Sequence, residues 1–346
     1  MHFGIFMEFG VRNGRSDAEA FREGMDLADA AEAWGMDSVW LSEFHFSPDR
    51  SVLSSPIVVA GALAARTQRM RIGLAVYVLP LNNPLRIAEE AATVDQISGG
   101  RFDFGIGRSG FVRSYSSYNI DYGESQGRFE EALQILRLAW SGETFSFNGK
   151  FYKVTDALVV PQPVQKPYPP MRMAATSPGT FRTVAEQGLP LFVGLRGDGL
   201  ETLVDNIEMY RETWRSSGHD GDGSVFLRVP IYAANTETAA FEEPRANIIH
   251  YFERQARLIT ASSPKGGNAE RSNTAATLSA LSYDDILEDR VAFGTADRLI
   301  DRVKEWRELL GIDGVTAEMN AGGMLSEVQV KNSLRIICRD VMPAFK

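Results

Sequence analysis

The residues of this 346-residue chain that could do chemistry fall in four short stretches. The first is Glu43-Phe44-His45-Phe46. Glu43 and His45 stand two apart, so in an extended chain they share a face. A histidine so placed can act as a general base or hydrogen-bond a reactive oxygen. It can equally be a neutral side chain that holds a loop. A metal site is disfavoured, because the four histidines (His2, His45, His219 and His250) include no H-x-x-x-H pair. The second stretch is RFDFGIGRSGF, residues 101–111, which contains Gly105-x-Gly107-x-x-Gly110. As a dinucleotide fingerprint this pattern needs a helix that starts inside the loop and points its N-terminus at a pyrophosphate. Here the turn-rich run FVRSYSSYNIDYG follows, and the next helix is expected only near Ser125. The better reading is a glycine-opened loop with Arg108 aimed inward as a phosphate partner. The third stretch is residues 174–188, where Ser177 and Thr180 flank Pro178-Gly179 at an expected helix start. Ser177 can be a plain N-cap. Hydroxyls, backbone N–H groups and the positive helix end also make an anion site. With Arg108 converging, a phosphate monoester fits. The fourth is Asn320-Ala321-Gly322-Gly323, either a plain turn or a place where a ligand approaches the backbone. The run His219-Asp220-Gly221-Asp222-Gly223 resembles a metal cluster but falls between a helix and a strand. It is expected to be a solvated turn on the far side of the molecule.

These stretches need a frame that brings them together. Short apolar strands alternate with longer amphipathic helices, the pattern of parallel βα units. Strands are expected at His2–Met7, 38–42, 71–78, 102–105, 171–175, Leu191–Gly194, Val225–Ala233 and 314–319. Eight strand–helix units predict an α/β protein, a (β/α)₈ barrel with insertions, in one domain over 1–346. Functional residues of such a barrel sit at the C-terminal ends of its strands, and all four stretches follow a predicted strand. One insertion spans 143–170. It holds a hairpin turning at Asn148-Gly149 and the Pro-rich connector PQPVQKPYPP. A second, polar segment at 261–282 reads as a structureless lid or a plain surface excursion. The helix PIVVAGALAAR over Pro56–Arg66 has almost no polar face. It is either a tight seam against the barrel or, through residues 55–67, the interface of a homodimer.

Composition excludes several classes. The 36 basic and 45 acidic side chains give a net charge of −9, which argues against nucleic acid or an anionic membrane as the main partner. The lone Cys338 follows Leu334, Ile336 and Ile337 and is expected to pack rather than react. No apolar run approaches the roughly 18 residues of a membrane span. MHFGIFMEFG lacks a basic leader and a secretory apolar core, so a cytoplasmic protein is expected.

The sequence resembles the bacterial luciferase-like family of flavin-dependent monooxygenases nearly end to end. The likeness rests on FGIF near the start, WLSEFHF (40–46), residues 71–110, the Pro-rich connector, AATSPGTFRTVAEQGLP, FGTADRLIDRV (293–303), and the closing NAGG and DVMP. It implies a (β/α)₈ barrel that uses O₂ and reduced FMN delivered by a separate flavin reductase. Some relatives use coenzyme F420. With no reductase-like domain left over, the chain would be the oxygenase half of a two-component system. The resemblance puts Arg108, Ser177 and Thr180 on the flavin phosphate, with Thr176 beside it. It puts Phe111 near the ring and Ala75-Val76 where luciferases carry a non-proline cis peptide against that ring. Two departures stand out. Luciferases have Glu-His-His-Phe where this chain has Glu43-Phe44-His45-Phe46, so their usual base is replaced by Phe44. Their reactive cysteine is replaced by Gly107. Light emission and aldehyde oxidation by the luciferase route are therefore not expected. Glu43 and His45 remain the catalytic candidates. Phe6, Phe44 and Phe46 are expected to wall a site for a small apolar organic substrate. The rival readings are an F420- or nicotinamide-linked oxidoreductase on the same barrel and a non-catalytic flavin-binding protein.

Overall fold

The computed structural model describes residues 1–12, 14–195, 199–262 and 269–346. Among these, eight parallel strands close a barrel: β1 (His2–Met7), β2 (Ser38–Leu41), β3 (Arg71–Leu74), β4 (Phe102–Gly107), β5 (Met171–Ala174), β6 (Leu191–Gly194), β7 (Val225–Ala233) and β8 (Gly314–Glu318). Each pairs with the next in chain order, and β8 pairs back onto β1 with His2 opposite Gly314. Helices follow the strands and cover the outside, as the sequence predicts. The capping box at Ser16 and Glu19 forms, and Gly35 ends that helix with φ +89°.

Alternation along the strands sorts the side chains. Phe3, Ile5 and Met7 join the large core between barrel and helices. Phe6, Trp40 and Phe192 form a separate cluster inside the barrel. Two interior glycines make room for the Trp40 indole, because a Cβ on Gly4 or Gly73 would lie 2.9 or 2.3 Å from it. The interior is thus layered. His2, Ser38, Arg71, Asp103 and Arg172 lie toward the N-terminal ends, the aromatics fill the middle, and Glu8, Arg228 and Glu318 lie toward the C-terminal mouth.

Several expectations change. The hairpin forms from Phe145–Asn148 and Lys153–Ala157, but it does not turn at Asn148-Gly149. Asn148 faces Lys153, so residues 149–152 make the loop. The Glu131 carboxylate accepts the backbone N–H groups of Lys150, Phe151 and Tyr152 at 2.7–3.0 Å, which explains the longer loop. Residues 112–117, read as turn, form the short helix Val112–Ser117. Part of the supposed structureless lid is also helical. Ala269–Ala280 is a helix packed on the helix Arg245–Ala261, with Ala275 and Leu278 buried. Residues 263–268 lie outside the described residues. The helix Pro56–Arg66 buries Ile57, Val59, Ala60, Leu63 and Ala64 but leaves Val58 69% exposed.

Candidate active site

Two corners of the barrel mouth gather the residues singled out in the sequence. The first lies where β4 and β5 end side by side, in register with Ile106 opposite Met173. Arg108 follows β4 and is half-buried. Its guanidinium donates to Ser125 Oγ at 3.1 Å, and among the described residues it has no carboxylate partner. After β5, Ser177 occupies the N-cap of the helix Pro178–Glu186, but its hydroxyl makes no capping bond. It pairs instead with Thr180 Oγ1 at 3.0 Å. Thr176 is exposed, and a Cβ on Gly179 would meet nothing within 4 Å. An unneutralised arginine, two hydroxyls paired only with each other and an open helix start suit a phosphate-sized dianion. The plain N-cap reading of Ser177 does not hold.

The Gly105-x-Gly107 spacing has a structural cause. Both glycines lie within β4 itself. A Cβ on Gly105 would fall 1.8 Å from the Leu74 carbonyl oxygen, so β3 and β4 approach too closely for any side chain there. A Cβ on Gly107 would fall 2.4 Å from Val76 Cγ2. Val76 thus occupies the space that a cysteine at 107 would need. The Ala75-Val76 peptide is cis, and both residues are half-exposed at the mouth.

The second corner follows β2. Glu43 Oε1 lies 2.7 Å from His45 Nε2, and Glu43 Oε2 accepts the Val78 N–H at 2.9 Å. An ionised carboxylate only accepts, so Nε2 carries hydrogen and Nδ1 of the neutral ring is the acceptor. Tyr118 Oη lies 3.2 Å from Nδ1 and can donate to it. Both imidazole nitrogens are therefore engaged, with Tyr118 stacked edge-on at 5.3 Å and Phe46 at 5.9 Å. Phe46 is exposed and adopts φ +56°. Phe44 meets Phe111 with ring centroids 5.9 Å apart, and the Arg50 guanidinium covers the Phe44 ring at 3.8 Å.

Phe6 does not join this wall. It is buried in the barrel with Trp40 and Phe192, under the Arg228 guanidinium at 3.7 Å. Tyr118, Ser125 and Arg50 are the residues that sequence reasoning missed. Tyr118 lies 73 positions from its partner, and no local pattern marks it.

The remaining stretches find structural roles. Asn320-Ala321-Gly322-Gly323 is a turn in which Gly323 N–H bonds to the Asn320 carbonyl at 3.0 Å. The close approach at Gly322 is to the Asn247 carbonyl, 2.0 Å from a would-be Cβ. His219 bonds the Glu186 carbonyl at 3.1 Å, on the side of the barrel away from the mouth. No group of three or more potential metal ligands occurs among the described residues. Cys338 is buried, and burial pushes its thiol up to about 12, which makes it inert at neutral pH. No helix among the described residues is long and apolar enough to cross a membrane.

Comparison with known proteins agrees with this layout. The luciferase-like monooxygenase family profile matches residues 1–313, and the chain belongs to that family. It is 26% identical over 357 residues to the oxygenase component of the flavin-dependent trigonelline monooxygenase of Acinetobacter baylyi, covering 100% of this chain and 96% of that one. A shorter match is 33% identical over 209 residues to the F420-dependent glucose-6-phosphate dehydrogenase of Kineococcus radiotolerans, covering 58% of each. The fold matches the FMN-bound oxygenating constituent of 3,6-diketocamphane monooxygenase from Pseudomonas putida. There the TM-score is 0.83 at 20% identity, over 99% of this chain and 98% of that one.

Proposed function

We propose that the chain is the oxygenase half of a two-component flavin-dependent monooxygenase. It would take reduced FMN from a separate flavin reductase, together with O₂, and oxidise a small, largely apolar organic substrate. The observation that carries this reading is the anion corner: Arg108 without a carboxylate partner, beside the hydroxyls of Ser177 and Thr180. Those three residues would hold the phosphate, with Ser125 steadying the guanidinium and Thr176 at the rim. Ala75, Val76 and Phe111 would border the ring. Reduced flavin, when bound, supplies the electrons that activate O₂. The protein's share is to orient the reactants and exclude water. Phe44, Phe46 and Phe111 give the apolar surface for that. Glu43 and Tyr118 fix His45, and displacement of the exposed Tyr118 would free Nδ1 to accept or return a proton.

Titration with FMN in both redox states, followed by flavin fluorescence, tests the reading. Arg108→Ala is expected to weaken FMN binding about 10- to 100-fold, the worth of about 1.5–3 kcal/mol for hydrogen bonds to a charged group. Equal affinity of the variant would remove the phosphate assignment. The match to an F420-dependent relative supports a second cofactor reading. A parallel F420 titration separates the two.

We also infer a homodimer through the helix Pro56–Arg66. Val58 on this helix and Ile97 on the packed helix Pro84–Ser98 are 69% and 50% exposed, an apolar face that water disfavours. Val58→Asp is expected to shift the species seen by sedimentation from dimer to monomer. An unchanged mass would place the interface elsewhere.

A further inference from the structure

Beside the mouth, a cavity of about 90 Å³ opens between the loops after β1 and β8. Its inner end is charged. Glu8, Arg50, Arg254 and Glu318 line it, and Arg228 stands immediately behind. Its outer part is mixed and includes Ala20, Leu27, Met319 and Val330. The charged group does not balance. Arg228 is satisfied by Glu318, with two hydrogen bonds of 3.0 Å. That leaves Glu8 shared among three guanidiniums: Arg50 in close contact, with Arg228 and Arg254 each at 3.8 Å. Three buried arginines thus face two buried carboxylates. The rim adds nothing, because Arg12 pairs with Glu23 and Lys331 with Glu327. Burial pulls the Arg254 guanidinium below its ordinary range despite Glu8. Its Nη2 donates to the Ala321 carbonyl, and its Nε has no hydrogen-bond partner.

A buried cation held only by carbonyls and a distant, shared carboxylate is costly, and one more anion would offset it. We propose that this cavity binds a small organic monocarboxylate, its head group toward Arg254 and its short apolar chain along Leu27 and Val330. One unmatched positive charge calls for a monoanion. A cavity of about 90 Å³ holds a head group and a few carbons, given that a water's share is roughly 30 Å³. The apolar outer wall favours a carboxylate with a tail over an inorganic ion. Arg50 also covers Phe44, so it forms a shared partition between this cavity and the flavin corner. The site does not depend on flavin, so its test needs none.

The experiment uses the full chain without flavin. Butyrate is titrated by calorimetry and by thermal shift, with butyramide and sodium chloride at matched ionic strength as controls. Saturable stabilisation by butyrate alone is expected. Leu27→Trp, which fills the outer cavity and leaves every charge in place, is expected to abolish butyrate binding while FMN affinity stays at the wild-type value. Arg254→Gln is expected to weaken butyrate binding at least tenfold, and Arg254→Lys less. Equal stabilisation by butyramide or chloride would overturn the proposal, as would unchanged butyrate binding in Leu27→Trp.

Discussion

The two ends of the barrel interior are both charged, yet they are built on opposite terms. At the N-terminal end, Arg172 lies flat against Phe226 at 3.4 Å and Trp40 at 4.4 Å, and its Nη1 has no hydrogen-bond partner. The nearest carboxylate, Asp103, is 3.8 Å away and already holds Arg71 through bonds of 2.9 and 2.7 Å. Burial pulls Arg172 down to about 10, with Asp103 opposing that only in part. At the mouth end, burial would also lower Arg228, but Glu318 and Glu8 overcome it and hold the guanidinium above its ordinary range. Burial would raise Glu8, and Arg50 overcomes that and brings it below the usual carboxylate range. The lower layer is thus held by aromatic packing around a poorly paired cation, while the upper layer is held by ion pairs. The aromatic middle layer separates them. This division fits a barrel whose bottom serves stability and whose top serves the site.

The sharpest way to break the comparison is to remove one partner at each end. Glu318→Gln takes the bidentate partner from a fully buried arginine. Stability to urea is expected to fall by about 3–5 kcal/mol, the usual result of leaving a buried charge uncompensated. A loss below about 1 kcal/mol would mean that Glu8 alone satisfies Arg228, and that the upper layer is no better paired than the lower.

A second, smaller effect belongs to the lower end. Burial is the main cause that lowers His2 to about 4, with Arg172 and Arg71 adding to it and Asp37 and Asp103 opposing. Its Nε2 lies 2.8 Å from Ser38 Oγ, and its ring meets Phe226 edge-on. The folded state therefore binds fewer protons here than the unfolded chain does. His2's contribution is full above about pH 6.5 and is lost as pH falls toward 4. From the ordinary value of 6.5, that window amounts to about 3 kcal/mol. Denaturation midpoints measured between pH 7 and 4 should fall more steeply in the wild type than in His2→Gln. Identical slopes would place His2 in contact with water.

How much of this was legible in the sequence depends on distance along the chain. The barrel strands were readable because alternation and length are local properties. Glu43 and His45 were readable for the same reason, being two residues apart. Tyr118 was not, because only the folded loop after β4 brings it to His45. The upper charged layer joins Glu8, Arg50, Arg228 and Glu318, and their meeting depends on the closure of β8 onto β1. Nothing local announces that. Phe6 is a different case. Its place on β1 already set it on the inward face with Gly4, so the expectation of a mouth wall overlooked the alternation that located the strand. The short helix Val112–Ser117 and the helix Ala269–Ala280 were missed because Ser, Asn and Thr favour turns and caps over helix interiors. Packing against neighbours overrode that preference.

The smallest expected effect is the most discriminating. Arg172→Met replaces the poorly paired cation with a flexible apolar side chain among Trp40, Phe192 and Phe226. Asp103 keeps Arg71, so no carboxylate is left alone. Stability at pH 7 is expected to stay level or rise by up to about 1–4 kcal/mol, as happens when buried charges give way to apolar packing. The same change removes the second cause lowering His2, so the His2 titration, followed by its ring proton resonances, should move upward. A loss like that from Glu318→Gln would show that Arg172 is paired as effectively as Arg228, and the two ends of the barrel would then be alike.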